Sequence, residues 1–256
     1  MQNVDLEKTL PLHQFPLSAN YDVAWLYENE MGPCSVWLAE YLIQSMELTP
    51  AMRVLDLGCG KAMSSIFLAK EFGVNVWAAD LWISASENWA RIVDAHAADH
   101  VFPVSAEAHA LPFARGFFDA IVSLDAYHYF GTDELYLPYV TKFVKPGGQI
   151  GIVIPGVVTE WTETDRRRLD EYWEPYLYTH HSPAWWAALW QRSEAVEVQV
   201  ADTMPQGHDV WLHWDKTLED AGVLQRDGDV GLLEADGGNL TFTRVVARRL
   251  PPPEGK

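Results

Sequence analysis

This chain has little cysteine, little positive charge and no long apolar run, and each shortage removes a class of function. Its two cysteines, Cys34 and Cys59, are too few for a disulfide framework in 256 residues, which fits a reducing, cytoplasmic setting. Eighteen Lys and Arg stand against 36 Asp and Glu, a formal net charge of −18. The only tight basic run is Arg166-Arg167-Arg168. Phosphate backbones need a basic surface, so nucleic acid is not expected as a partner, and the acidity reads first as a source of solubility. No uncharged stretch approaches the roughly 20 residues of a membrane helix. The start Met1-Gln2-Asn3-Val4-Asp5 has no basic segment followed by an apolar one, so the chain reads as soluble, unprocessed and without integral membrane association.

What is present is ordinary globular composition, 48% apolar and 21% charged, long enough for one large domain with a sizeable core. Apolar positions Trp37, Leu38, Tyr41, Leu42 and Met46 recur at helical spacing, predicting a helix near 34–47 closed by Thr49-Pro50, with a second over 21–31. Strands are expected at 53–57, 74–79, 101–104, 120–124 and 149–154, alternating with helices at 63–72, 84–98 and 133–143. Ser84-Ala85-Ser86-Glu87 has the spacing of a capping box. Beyond Pro155 the character changes, because seven of the twelve tryptophans fall between Trp161 and Trp214. Ser182-Pro183 reads as a helix start, 196–200 as a strand, 210–221 as a helix stopped by Gly222, 227–238 as a Gly- and Asp-rich loop, and 240–247 as a last strand. The implied fold is α/β: a doubly wound, mainly parallel seven-stranded sheet with an antiparallel last strand and helices on both faces. An N-terminal helical cap takes 1–50, the main domain 51–250 with a Trp-rich helical insertion at 156–195, and a disordered tail 251–256.

The chemistry starts at Val54-Leu55-Asp56-Leu57-Gly58-Cys59-Gly60-Lys61-Ala62, a short apolar strand running into a glycine-rich turn. Such a turn lets the backbone approach a nucleotide-like ligand. Asp80, twenty residues after Gly60 and at the end of the next strand, is placed to accept hydrogen bonds from ribose hydroxyls. These residues alone admit a nicotinamide dinucleotide, a flavin or another adenosine-bearing cofactor. The dinucleotide fingerprint asks for a third small residue where Met63 stands.

Five ordered blocks resemble the class I, Rossmann-like S-adenosylmethionine-dependent methyltransferases of small-molecule type. They are Val54 to Gly60, Val76-Trp77-Ala78-Ala79-Asp80, Glu107-Ala108-His109-Ala110-Leu111-Pro112-Phe113, Phe117 to Ser123, and Phe143-Val144-Lys145-Pro146-Gly147-Gly148. The resemblance covers 53–155, about two fifths of the chain. It departs from the family at Ala62, where a third glycine is usual, and at Glu107, where Asp is usual. It implies S-adenosyl-L-methionine as cofactor and S-adenosyl-L-homocysteine as product. Asp56, Gly58, Cys59 and Gly60 would meet the amino-acid end, Asp80 the ribose, Leu81 or Trp82 the adenine face, Glu107 and Ala108 the adenine edge, and Ser123 and Leu124 the methionine part.

Methyl transfer needs a nucleophile aligned behind the methyl group, and the cofactor carries most of the reactivity. Leu124-Asp125-Ala126-Tyr127-His128-Tyr129 puts a carboxylate, an imidazole and two phenols at the carboxyl end of the sheet. His128 is the candidate proton acceptor, or else a positioning group; Asp125 is the candidate orienting carboxylate, and Tyr127 is a third candidate. The tryptophan-rich stretch reads as a pocket wall for an apolar, aromatic or cationic small molecule, or as core. Tyr21, Trp25 and Tyr27 read likewise as a cover over the cofactor or as packing. His180-His181 and His208 with His213 match no tetrahedral metal spacing, so no metal is expected. A dinucleotide-dependent oxidoreductase and a non-catalytic cofactor-binding module stand as alternatives, and a homodimer is left open.

Overall fold

A computed structural model describes residues 14–223 and 229–251. Seven strands form one sheet in the order β3-β2-β1-β4-β5-β7-β6. They are β1 Arg53–Leu57, β2 Asn75–Asp80, β3 Val101–Ser105, β4 Phe118–Leu124, β5 Val144–Val157, β6 Val196–Thr203 and β7 Leu240–Arg249. The pairs β1–β2, β2–β3, β1–β4 and β4–β5 are parallel. Strand β7 runs antiparallel to both β5 and β6. The strand order reverses direction between β1 and β4, and in open α/β sheets ligands bind in the crevice beyond the strand ends at such a switch.

Strands buried on both faces send successive side chains to opposite layers. Val54, Val76, Ala120, Val122, Val153 and Val246 join one apolar layer with helices α2 Ser35–Ile43, α3 Met63–Phe72 and α8 Gly207–Asp220. Leu55, Leu57, Ile121, Ile150, Ile152, Ile154 and Val245 join the other, with Tyr127, Tyr136 and α7 Pro183–Arg192. The two tryptophans of α7 that point inward, Trp186 and Trp190, are fully buried, as are Trp211 and Trp214 of α8. Four of the seven tryptophans in that stretch are therefore core.

Local signals explain the helix starts near the site. Ser84 and Glu87 form the expected capping box on α4 Ala85–Asp94. Ser182 accepts from Trp185 N with Pro183 at the first helical position of α7. A half-exposed ion pair lies where the sheet meets α2: Arg244 Nη2 lies 2.6 Å from Asp202 Oδ2 and its guanidinium sits 3.9 Å over the Tyr41 ring.

Several boundaries depart from expectation for identifiable reasons. The 21–31 helix is only α1 Val23–Glu28, begun by Asp22 accepting from Ala24 N and Trp25 N. The helix expected over 133–143 is a short α5 Tyr136–Val140 followed by a 3₁₀ turn Thr141–Phe143. Lys145 to Gly148, expected as a turn before the fifth strand, falls inside β5, where the pairing register slips between Phe118 and Ala120. The Gly- and Asp-rich stretch expected as loop contains α9 Val230–Asp236, ended by Gly237 at φ +75°; residues 227 and 228 lie outside the described residues, as do 1–13 and 252–256 of the expected cap and tail. The insertion holds α6 Glu163–Arg168, started by a Thr162–Asp165 capping box, two 3₁₀ turns and α7.

Candidate active site

At the carboxyl ends of β1, β2 and β4 lies a cavity of about 330 Å³. Its floor is the glycine-rich turn. Gly58 N donates to Ala79 O at 2.8 Å and Gly60 N to Asp80 Oδ2 at 2.8 Å, so the turn after β1 is tied to the end of β2. Gly58 has φ +74°, and a Cβ there would stand 2.4 Å from the Ala126 methyl. Only glycine fits that position. Ala62 also adopts φ +62° as α3 begins, a conformation that costs a non-glycine residue about 1 kcal/mol.

Asp80 is 8% exposed. Its Oδ1 accepts from Trp82 N at 2.7 Å and Ile83 N at 2.9 Å, and Oδ2 accepts only from Gly60 N. A carboxylate oxygen has capacity for about two donors, so Oδ2 keeps a lone pair for a ligand hydroxyl. Leu81 and Trp82, 71% exposed, form an apolar lip beside it. Asn88, which the sequence did not single out, is buried on α4 and donates to Gly60 O at 2.9 Å, fixing the turn from behind.

Other expected contacts stand elsewhere. Asp56 is 0% exposed and off the cavity wall. Its Oδ2 accepts from Ser64 Oγ and Ser65 Oγ, both at 2.6 Å, while Oδ1 has no partner. Burial raises its carboxyl to about 6, against the two serine bonds and with help from the charge of Asp80. Ser123 is also buried off the wall, donating to Leu57 O at 2.7 Å across the β4–β1 pair. Glu107 reaches the wall, but its carboxylate is held by His109, at 2.8 Å from Nδ1 and 3.0 Å from the main-chain N. Those bonds lower its pKa. Cys59, Ala108, His109 and Leu124 line the cavity.

The roof is a surprise. Tyr21 packs on Phe67 and Trp25, and Tyr27 packs on Trp214, so these aromatics are core or surface packing. The wall comes instead from the connection 29–35, through Glu30, Met31, Gly32 and Cys34 among others, and from Trp214. Lys61 Nζ, on the glycine turn, donates to Glu28 O at 3.1 Å and Glu30 O at 3.2 Å and pins that connection. Trp214 Nε1 donates to Gly32 O at 2.9 Å from the other side. No periodicity in the sequence signals a connection of this kind.

Of the three candidates after β4, one lines the cavity. Asp125, at φ +51°, is on the wall. Burial first, then the charges of Asp229 and Asp215, push its carboxyl well above the usual range. Tyr127 is buried among Tyr136, Trp186 and Trp190, with ring centroids 5.6 to 5.8 Å away, and does not reach the wall. His128, 1% exposed, is off the wall too, its ring 4.0 Å from Tyr129 and 5.5 Å from His180. Burial first, and then His180, hold its pKa well below 6.5, so the ring is neutral at pH 7. Tyr129 and Phe130 line the cavity in its place. Among the described residues no group of three or more His, Cys, Asp or Glu could hold a metal ion, and no helix is long and apolar enough to cross a membrane.

Against this geometry, residues 54–148 match a family model described as a methyltransferase domain. That segment is similar to a methyltransferase domain. The match begins in β1 and ends within β5, so the matched segment includes the glycine turn, Asp80, the 107–113 loop and Asp125. The 2-methyl-6-phytyl-1,4-hydroquinone methyltransferase of Synechocystis sp. is 30% identical over 129 residues, 50% of this chain and 38% of that protein. The glycine/sarcosine/dimethylglycine N-methyltransferase of Actinopolyspora halophila is 23% identical over 158 residues, 59% of this chain and 28% of that protein. The chain thus spans less than two thirds of these curated relatives' own length. Among solved structures, phosphoethanolamine N-methyltransferase 2 of Haemonchus contortus, in complex with phosphomonomethylethanolamine and S-adenosylhomocysteine, superposes with a TM-score of 0.70 at 16% identity, covering 93% of this chain and 58% of that one. Identity that low establishes the fold: the domain's seven-stranded sheet is shared well beyond the 54–148 match.

Proposed function

We propose that the protein transfers a methyl group from S-adenosylmethionine to a small molecule. The observation that carries this reading is Asp80, a carboxylate held by three backbone N–H groups at the lip of the cavity with one lone pair still free. It sits where a pair of ribose hydroxyls would be received, next to a glycine that admits no Cβ. Leu81, Trp82 and Ala108 offer apolar surface for a purine ring, and Gly58, Cys59 and Gly60 offer close backbone for the amino-acid end. The matching methyltransferase domain and the methyltransferases among its relatives support the same assignment.

When bound, the cofactor supplies a methyl group on a sulfonium, a good leaving group that asks the protein for position more than for bond-making. The residues that line the cavity serve position. Asp125 is the polar group at the acceptor end, and Tyr129 and Phe130 exclude water around it. His128 acts through Tyr129, which it packs against, and is a positioning residue whose burial disfavours its protonated form. Tyr127 belongs to the core that holds this turn.

Thermal-shift titration tests the cofactor. S-adenosylhomocysteine stabilises the protein by about 3 kcal/mol at a hundredfold excess over Kd, and NADH does not. Stabilisation by NADH alone would establish an oxidoreductase instead.

A further inference from the structure

The glycine turn comes close to whatever fills the cavity, yet it has few donors left to offer. Gly58 N and Cys59 N both donate to Ala79 O, at 2.8 and 3.2 Å, Gly60 N donates to Asp80 Oδ2 at 2.8 Å, and Ala62 N to Cys59 O at 2.9 Å. Four of the five main-chain N–H groups from Gly58 to Ala62 are thus spent inside the protein. The backbone cradle that such turns offer to anions is closed here. A negative ligand group at this end of the cavity needs a side chain.

Positive side chains are scarce on the wall. Glu30, Asp80, Glu107 and Asp125 bring carboxylates to it, and the only Lys or Arg among its lining residues is Lys61. His109 is engaged by Glu107 at 2.8 Å. Lys61 follows Gly60 directly and is half-buried. Two of its three ammonium N–H groups are used, on Glu28 O at 3.1 Å and Glu30 O at 3.2 Å, both main-chain carbonyls. Carbonyls orient an ammonium without neutralising it. Lys61 has no ion pair among the described residues: the Glu30 carboxyl lies in its field but is bonded to the backbone of Gly32, and there desolvation outweighs the pull of Lys61.

One N–H and a full positive charge are therefore left, held in place by the cover at 29–35. Met63 and Ser64, also on the wall, form the first turn of α3, which has no side-chain cap at Ala62. The positive end of that helix adds to the field of Lys61. A carboxylate entering a cavity with four acidic side chains is repelled by each of them and attracted at Lys61. An ammonium already oriented and partly withdrawn from water binds such a group more strongly than a solvated one.

We infer that Lys61 selects the amino-acid end of the cofactor, donating its remaining N–H to the ligand's α-carboxylate. This rests on the methyltransferase reading and adds to it a specificity-determining residue. Because the same ammonium holds Glu28 O and Glu30 O, one side chain fastens both the carboxylate and the cover.

Calorimetry on the full chain compares S-adenosylhomocysteine with its decarboxylated form, the same thioether nucleoside ending in a bare aminopropyl group. Wild type binds S-adenosylhomocysteine more tightly by about tenfold or more, the worth of a charge-assisted hydrogen bond. Lys61→Met brings the two affinities together by weakening S-adenosylhomocysteine while the decarboxylated ligand binds as before. Lys61→Gln, neutral but with an amide donor for the cover carbonyls, does the same and serves as the second variant should Lys61→Met not fold. Equal binding of the two ligands by wild type overturns the inference. So does a variant in which both ligands weaken equally, the result expected if Lys61 only holds the cover. Binding of neither ligand by wild type overturns the methyltransferase reading instead.

Discussion

Asp56 offers a quantitative test of how the glycine turn is supported. Its carboxyl is 0% exposed, bonded through Oδ2 to Ser64 and Ser65 and left without a partner at Oδ1. Its pKa rises from 3.8 to about 6 on folding, with desolvation as the largest cause. At about 1.4 kcal/mol per pKa unit, keeping Asp56 ionised at pH 7 costs the fold about 3 kcal/mol. The sign follows from proton binding: between pH 4 and 6 the native state holds a proton that the unfolded chain has released, so this group favours folding as pH falls. The penalty is fully present above pH 6 and gone below about pH 4. Asp56→Asn cannot titrate, and its amide oxygen still accepts from the serines. Its amide nitrogen replaces the partnerless Oδ1, at a pH-independent cost of about 1–3 kcal/mol. The stability of the Asn variant relative to wild type therefore improves by about 3 kcal/mol as pH rises from 4 to 7. Urea unfolding followed by tryptophan fluorescence at four pH values measures that difference, and the remaining carboxylates cancel. Parallel stability-against-pH curves for the two proteins would refute the reasoning.

Three further outcomes are expected. Asp80→Asn removes a charge-assisted acceptor at the lip of the cavity and weakens S-adenosylhomocysteine binding by 10- to 100-fold in calorimetry, about 1.5–3 kcal/mol. Gly58→Ala puts a methyl 2.4 Å from Ala126 at a positive φ and destabilises the protein by about 1–3 kcal/mol in thermal unfolding, with binding lost even in the folded fraction. Arg244→Met leaves Asp202 without its counter-charge but still accepting from the Tyr41 hydroxyl; because the Asp202 side chain is 44% exposed and can turn to water, the loss in urea unfolding is only roughly 2 kcal/mol.

The sheet was legible because fully buried strands are written as continuous apolar runs with an acidic residue or a turn at their ends, as in Arg53–Leu57 and Asn75–Asp80. Capping chemistry is equally local, which is why Ser84 and Ser182 were placed correctly. Helix α9 was missed because Leu232 and Leu233 find their partners only in the tertiary core, while the flanking glycines and aspartates dominate the local signal. The place of Asp80, at the end of β2 and on the cavity wall, is legible from its position in the sequence alone. The direction of Asp56 is not, since Ser64 and Ser65 compete for it from the next helix. His128 and Tyr127 share a five-residue stretch with Asp125, and a 3₁₀ turn over Tyr127–Tyr129 decides which of them reaches the cavity. The cover at 29–35 depends on long-range bonds to Lys61 and Trp214 that no local pattern announces.

The position of β7 has a consequence for how the molecule is made. It lies between β5 and β6 in space, yet it is the last strand in sequence. During synthesis β6, ending at Thr203, and the helix that follows it, ending at Asp220, both emerge before Leu240–Arg249, the one strand that β6 pairs with among the described residues. Until Leu240–Arg249 leaves the ribosome, β5 presents a bare edge and β6 has no sheet to join. The half of the sheet that carries the glycine turn and Asp80 needs none of this, since β1 to β5 pair among themselves. Trp214, which closes the other side of the cavity, rides on the helix between β6 and β7. The nascent chain thus acquires the floor of its cavity and the 29–35 side of its roof before Trp214 has emerged.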